Sequence, residues 1–182
     1  NRKISAEYFS FHTTDAEYQL LEKIRHIPKT KFLAGNADFA LGIVTGNNKK
    51  YISSVKNKDN EVILKGSDIC KYHTNPNSNY IVFNPQNFQQ VAPIEMYRAP
   101  EKLLYRFISS QLVFAYDDKQ TLSLNSCNLV IPKLEGLHIK YILAILNSRI
   151  AQFIYKMEFH SVKVLRSHIE NIPILDVNAD MQ

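Results

Sequence analysis

Between residues 32 and 132 the chain is written in short β-prone runs separated by turn-forming residues, and after Pro132 that texture stops. The runs lie at 39–44, 51–55, 62–64, 80–83, 103–108, 112–116, 121–124 and 128–131. Their separators are Gly46-Asn47-Asn48, Lys58-Asp59-Asn60, Asn75-Pro76-Asn77, Asp117-Asp118-Lys119 and Asn125-Ser126. Strands this short, joined by local turns, favour antiparallel neighbours over a parallel doubly wound sheet. A helix precedes this region. Thr13, Thr14 and Asp15 are N-cap candidates, Glu17 completes a capping box with Thr14, and Pro28 stops the helix. Beyond Pro132, Ile139, Ile142, Leu143, Leu146, Ile150, Phe153, Ile154 and Met157 step by three and four, with a break at Asn147-Ser148. That stripe is expected to bury Ile142, Leu146, Ile150 and Phe153. A last short helix is expected over 166–171, closed by Pro173.

The expected fold is therefore α+β, with a curled, mostly antiparallel sheet, an N-terminal helix and a C-terminal helical module. We read one domain over 1–182, comprising a helical lead-in (1–31), a β-rich part (32–132), a helical part (133–174) and a fraying tail (175–182). The apolar share of 45% against 21% charged suits a globular core, not a disordered chain. The longest apolar run, Tyr141 to Leu146, is far short of the roughly 20 residues of a membrane span. No signal peptide is visible, and two cysteines, Cys70 and Cys127, fit a reducing cytoplasm. The chain opens on Asn1 instead of Met, which reads as a piece of something longer.

Twenty-two Lys+Arg against 17 Asp+Glu leave a net charge of +5, a mild bias toward an anionic partner. Nucleotide loops are not supported. Gly42 and Gly46 lack the Gly-Lys-Ser/Thr ending of a P-loop, and five glycines in all leave little for a dinucleotide fingerprint. Cys70 and His73 have ligand spacing, but Cys127 has no close second ligand, so no metal site is expected. No nucleophile elbow occurs, and the six histidines sit in unrelated contexts. A magnesium nuclease pattern can be drawn through Glu101, Asp117, Asp118 and Lys119. The simpler reading of Asp-Asp-Lys-Gln is a polar turn between two strands. Three basic groups remain. The first is Thr45, Asn47, Asn48, Lys49, Lys50 and Tyr51. The second is Lys65, Ser67, Asp68, Lys71, Tyr72 and His73. The third is Tyr97, Arg98, Lys102 and Arg106. Lys and Arg neutralise phosphates, while Asn, Gln, Arg and Ser read base edges. Solvated faces have the same composition.

The order of these segments resembles the TaqI-like C-terminal specificity domain, the target-recognition domain of type IIG restriction-modification enzymes and related N6-adenine DNA methyltransferases. The resemblance covers about 38–174. It runs through Gly42-Ile-Val-Thr-Gly-Asn-Asn-Lys-Lys-Tyr51, Leu64-Lys-Gly-Ser-Asp-Ile-Cys-Lys-Tyr72, Tyr80-Ile-Val-Phe83 and Lys102-Leu-Leu-Tyr-Arg-Phe-Ile108. It continues in Leu143-Ala-Ile-Leu-Asn-Ser-Arg149 and closes on Leu165-Arg-Ser-His-Ile-Glu-Asn-Ile-Pro-Ile174. It implies sequence-specific recognition of double-stranded DNA, and the basic groups supply the candidate contacts Thr45, Asn47, Asn48, Lys49, Lys50, Lys65, Ser67, Lys71, Tyr72, Arg98 and Lys102. The family's catalytic half carries an Asn/Asp-Pro-Pro-Tyr motif. Here the nearest strings, Asn75-Pro-Asn and Asn84-Pro-Gln, lack its second proline and its aromatic. The resemblance thus implies a non-catalytic segment without cofactor, partnered by a methyltransferase domain or subunit, fused or in trans, that uses S-adenosylmethionine. A type I specificity half is a variant of this reading. Its rivals are the magnesium nuclease and a protein-interaction module that exposes the apolar helices.

Overall fold

In the computed structural model the described residues are 2–5 and 8–10, by backbone alone, together with 14–159 and 161–177. His12, His160 and the end of the expected tail lie outside them. The chain opens with an antiparallel hairpin, β1 (Arg2–Ser5) and β2 (Tyr8–Ser10), which the helical lead-in reading did not include. Helix α1 (Asp15–Arg25) then begins as its sequence dictates. Glu17 N–H donates to Thr14 Oγ1 at 3.3 Å, and the Thr14 N–H returns a bond to the Glu17 carboxylate at 2.9 Å. Leu21 and Ile24 are its buried face.

Each of the eight β-prone runs supplies a strand, most of them trimmed. After β3 (Thr30–Lys31) come β4 (Ala37–Ala40), the helical turn α2 (Asn48–Tyr51), β5 (Ile52–Ser53), β6 (Glu61–Leu64) and β7 (Tyr80–Ile81). The turn α3 (Ile94–Tyr97) precedes β8 (Lys102–Arg106), β9 (Phe114–Asp117), β10 (Leu122–Ser123) and β11 (Cys127–Pro132). Tyr51, read as the start of a strand, instead closes α2, because the Asn47 side chain caps that turn.

The strands form two four-stranded sheets. One has the order β4-β11-β8-β9 and is antiparallel throughout. The other, β10-β6-β7-β5, contains one parallel pair, β10 with β6. The first sheet is the middle layer. Leu103, Tyr105, Phe114 and Val130 face the helices, while Leu104, Ala115, Cys127 and Leu129 face the second sheet. A strand buried on both faces reads as a continuous apolar run, and Leu103-Leu104-Tyr105 and Leu129-Val130-Ile131 are such runs. Burial pushes the Tyr105 hydroxyl up to about 12 and raises the Cys127 thiol.

The helical module comprises α4 (Ile139–Asn147), α5 (Arg149–Glu158) and α6 (Arg166–Glu170), followed by β12 (Ile174–Leu175), which pairs with β3. The break between α4 and α5 falls at Ser148, whose Oγ accepts from the Ala151 N–H at 3.1 Å. Ile142, Leu143, Leu146 and Ile154 are buried in the chain's own core, so this stripe is not an open docking face. Phe153 is partly buried against the same core. Ile150 is a correction: it is 56% exposed. The capping break resets the helical phase, and α5 buries Ala151, Ile154, Tyr155 and Met157 instead.

Two amides fasten these helices to the edge of β9. Asn147 Nδ2 donates to Phe114 C=O and its Oδ1 accepts from Phe114 N–H, both at 3.0 Å. Gln152 makes the same double bond with the backbone of Leu112, both at 2.9 Å. Side chains thus stand where a further strand would pair. The Leu-Asn-Ser stretch at the break between α4 and α5 thus also closes a sheet edge.

His168 is 8% exposed and stacks on Phe159, with ring centroids 4.3 Å apart. Desolvation lowers its pKa from 6.5. The unfolded chain therefore takes up this proton first as the pH falls. His168 should leave stability whole above about pH 6.5 and reduce it below, with a limiting slope of about 1.4 kcal/mol per pH unit. Denaturant unfolding at pH 5.5 and 7.5 should show a smaller pH difference in His168→Gln than in the wild type. Equal pH differences in the two proteins would contradict it.

Candidate nucleic-acid interface

The first basic group is built on a close approach of two backbones. A Cβ at Gly42 would lie 2.1 Å from the Leu124 carbonyl oxygen, so only glycine fits there. The Gly42 N–H donates to Asn128 Oδ1 at 3.0 Å. The chain then turns at Gly46, where φ is +77°. Thr45 is buried. Its hydroxyl donates to Asn48 Oδ1 at 2.6 Å and accepts from the Asn47 N–H at 3.2 Å. Asn47 Oδ1 in turn accepts from the Lys50 N–H at 3.2 Å. Thr45, Asn47 and Asn48 therefore shape the turn, and Lys49 and Lys50 stand exposed on it.

Behind these lysines runs a row of aromatic rings. Lys50 Nζ lies 5.0 Å from the Tyr51 centroid, and Tyr51 meets Phe88 edge-on at 5.4 Å. Phe88 and Phe83 are 6.3 Å apart, and Arg98 lies over Phe83 at 5.4 Å. Lys56 sits over Tyr80 at 5.6 Å. Cations held against aromatic faces are partly ordered before any partner arrives. Lys56 and Lys58 extend this surface, and the sequence reading placed them only in or beside a turn. Their signal was local: lysines within an Asn- and Ser-rich loop next to Lys49 and Lys50.

The second group is largely tied into the fold. Asp68 is fully buried at the end of the turn Gly66–Asp68. Its carboxylate accepts from the Lys65 N–H at 2.8 Å and from the Asn77 side-chain amide. Gly66 packs so closely that a Cβ would lie 2.5 Å from the Ser126 carbonyl oxygen. Ser67 is exposed and Lys65 half-buried on this turn. Lys71 donates to the carbonyl of Asn147, the last residue of α4, at 3.1 Å. Tyr72, at φ +77°, bonds through its N–H to Phe114 C=O at 2.7 Å. Lys71 and Tyr72 therefore tie the β-rich part to the helices.

The third group is mostly interior, which corrects the reading of Lys102 as a phosphate contact. Lys102 is fully buried, 2.5 Å from Asp117 and 2.8 Å from Tyr97 C=O. Burial lowers its pKa, and Asp117 opposes that shift. Arg98 grips Glu61 through two bonds of 2.7 and 2.8 Å, and Arg106 donates to Ile69 C=O at 2.8 Å.

The same pair accounts for the nuclease pattern. Asp117 also accepts from the Thr121 N–H at 3.0 Å and the Thr121 hydroxyl at 2.6 Å, while Asp118 and Lys119 sit exposed on the turn between β9 and β10. Glu101 accepts from the Tyr116 hydroxyl, a bond that pushes that hydroxyl up to about 12. Asp117 is thus engaged as the anion of a core ion pair. Among the described residues no three His, Cys, Asp or Glu are grouped to hold a metal ion.

The family model for the TaqI-like C-terminal specificity domain matches residues 61–174. A curated relative, Type II methyltransferase M.VspI of Vibrio sp. (strain 343), is 40% identical over 63 residues, which are 35% of this chain and 15% of that protein. A solved chain described under complex assembly and conformational transition of the type I R-M system matches with a TM-score of 0.54 at 14% identity, over 88% of this chain and 39% of that one. That likeness is one of fold. The HsdS subunit from Thermoanaerobacter tengcongensis aligns at a TM-score of 0.46 and 14% identity, over 81% of this chain and 34% of its own. The chain thus spans well under half the length of each of these proteins.

Proposed function

The chain belongs to the family of TaqI-like C-terminal specificity domains, and from that premise we propose that it recognises a target sequence in double-stranded DNA for a restriction-modification system. The observation that carries the reading is the surface of α2 and the loop after β5. There Lys49, Lys50 and Lys58 are exposed and make no ion pair among the described residues. Cations left unpaired beside a rigid framework suit a polyanion. Lys49 and Lys50 engage phosphates and fix register, while Thr45, Asn47 and Asn48 hold the turn that carries them. Lys65 and Ser67 form a second, smaller contact region.

Chemistry on the target belongs to a methyltransferase domain or subunit, fused or in trans, that binds S-adenosylmethionine and modifies adenine at N6. The resemblance to N6-adenine enzymes supports that finer assignment. This segment supplies the address.

The test is a salt series with duplex DNA. Each phosphate contact removed should lower the log–log salt slope by about 0.9. Lys49→Ala/Lys50→Ala should therefore bind more weakly on every sequence and with a shallower slope. An unchanged slope and affinity would remove α2 from the interface.

A further inference from the structure

We propose that the exposed loop joining β5 to β6, residues 54–59, is the element that reads base edges, with Val55, Lys58 and Asp59 as specificity-determining residues. This rests on the DNA-binding reading above and assigns a role within it. Every residue of the loop is exposed. Val55, at 69%, is the most exposed large apolar side chain among the described residues. An exposed valine is free to pack on a partner that presents methyl groups.

The loop is also stiff. Asn60 is only 5% exposed; its side chain donates to Val55 C=O at 2.9 Å and accepts from the Asn57 N–H at 2.9 Å. Asn57 Oδ1 accepts from the N–H groups of Asp59 and Asn60, each at 2.9 Å. Lys56 bonds to Asn60 C=O and lies over Tyr80, so its ammonium is already engaged. Apart from Ser54, the side chains that remain outward are Val55, Lys58 and Asp59. A backbone already bonded to itself loses little entropy on binding.

The chemistry of those three side chains fits the major groove. A lysine donates to guanine O6 and N7, a carboxylate accepts from the cytosine N4 amine, and an aliphatic group packs on the thymine methyl. Position supports the same partner. Helix turn α2 runs directly into β5, so Lys49, Lys50 and the loop are parts of one continuous segment.

The experiment is selection from a random-sequence duplex library, with the bound fraction sequenced. The intact chain is compared with Val55→Ala, Lys58→Ala and Lys49→Ala/Lys50→Ala. The wild type should enrich a consensus. Lys58→Ala and Val55→Ala should each relax preference at one or two adjacent base pairs, by about tenfold, and leave the rest of the consensus intact. Lys49→Ala/Lys50→Ala should weaken binding and keep the consensus. If the wild type enriches a consensus and both loop variants enrich the same one with undiminished preference, the loop assignment is wrong while DNA recognition stands. A uniform loss of affinity with the consensus retained also overturns it, because the loop would then contact only the DNA backbone. If the wild type enriches nothing, the DNA-recognition reading itself fails.

Discussion

Lys102→Ala is expected to lower the unfolding free energy by about 3–5 kcal/mol, the usual cost of removing one partner from a buried ion pair. The Lys102 side chain is fully buried and that of Asp117 is 3% exposed, so water cannot replace the lost cation. The truncation also leaves the Tyr97 carbonyl without its lysine donor. Replacing both charges, as in Lys102→Met/Asp117→Asn, should cost less than the single change, since no buried charge is then orphaned and the amide can still bond to Thr121. Urea unfolding of the wild type, the single variant and the double variant measures this directly. A Lys102→Ala protein within 1 kcal/mol of wild type would mean that Lys102 is not the buried partner of Asp117.

Asn147→Ala should be the other severe substitution. It strips the Phe114 N–H of its partner at a sheet edge covered by helices and takes one of two donors from the Phe114 C=O, which keeps the Tyr72 N–H at 2.7 Å. Leaving a buried backbone group unsatisfied costs about 1–3 kcal/mol. The Leu112 clamp through Gln152 persists, so the module should loosen around Phe114 first. Hydrogen exchange at the Phe114 amide, read beside the global unfolding free energy, separates the local effect from the global one. An unchanged exchange rate at Phe114 would show that the amide clamp contributes nothing to that edge.

Much of this architecture was legible because side-chain period survives in short segments. The eight β-prone runs mark eight strands, and Thr14 with Glu17 writes the start of α1 in four residues. What was not legible depends on pairing across distance. The division into two sheets turns on which strands neighbour β8 and β11, and a doubly buried strand carries no alternation to reveal its two faces. Ile150 was misassigned because a stripe counted straight through Ser148 ignores the phase change at a capped break. The hairpin β1–β2 is too short to stand out from the irregular sequence around it.

The interface was half legible for a related reason. A lysine in sequence is read as surface by default, and that was right for Lys49 and Lys50 and wrong for Lys102. Lys102 opens β8 directly opposite Asp117 at the end of β9, and only that register turns two charges into one core pair. The loop at 54–59 carries no motif. Its importance lies in Asn57 and Asn60 bonding inward while Val55, Lys58 and Asp59 face out, which composition does not distinguish from an ordinary polar turn.

The most direct test of the central claim is the affinity of the intact chain for the duplex it selects, against a duplex of the same composition in scrambled order, across a salt series. Target recognition requires tighter binding to the selected duplex by a factor of about 10³ or more, with both affinities falling linearly on a log–log salt plot. Equal affinity for the two duplexes at every salt concentration would contradict the account.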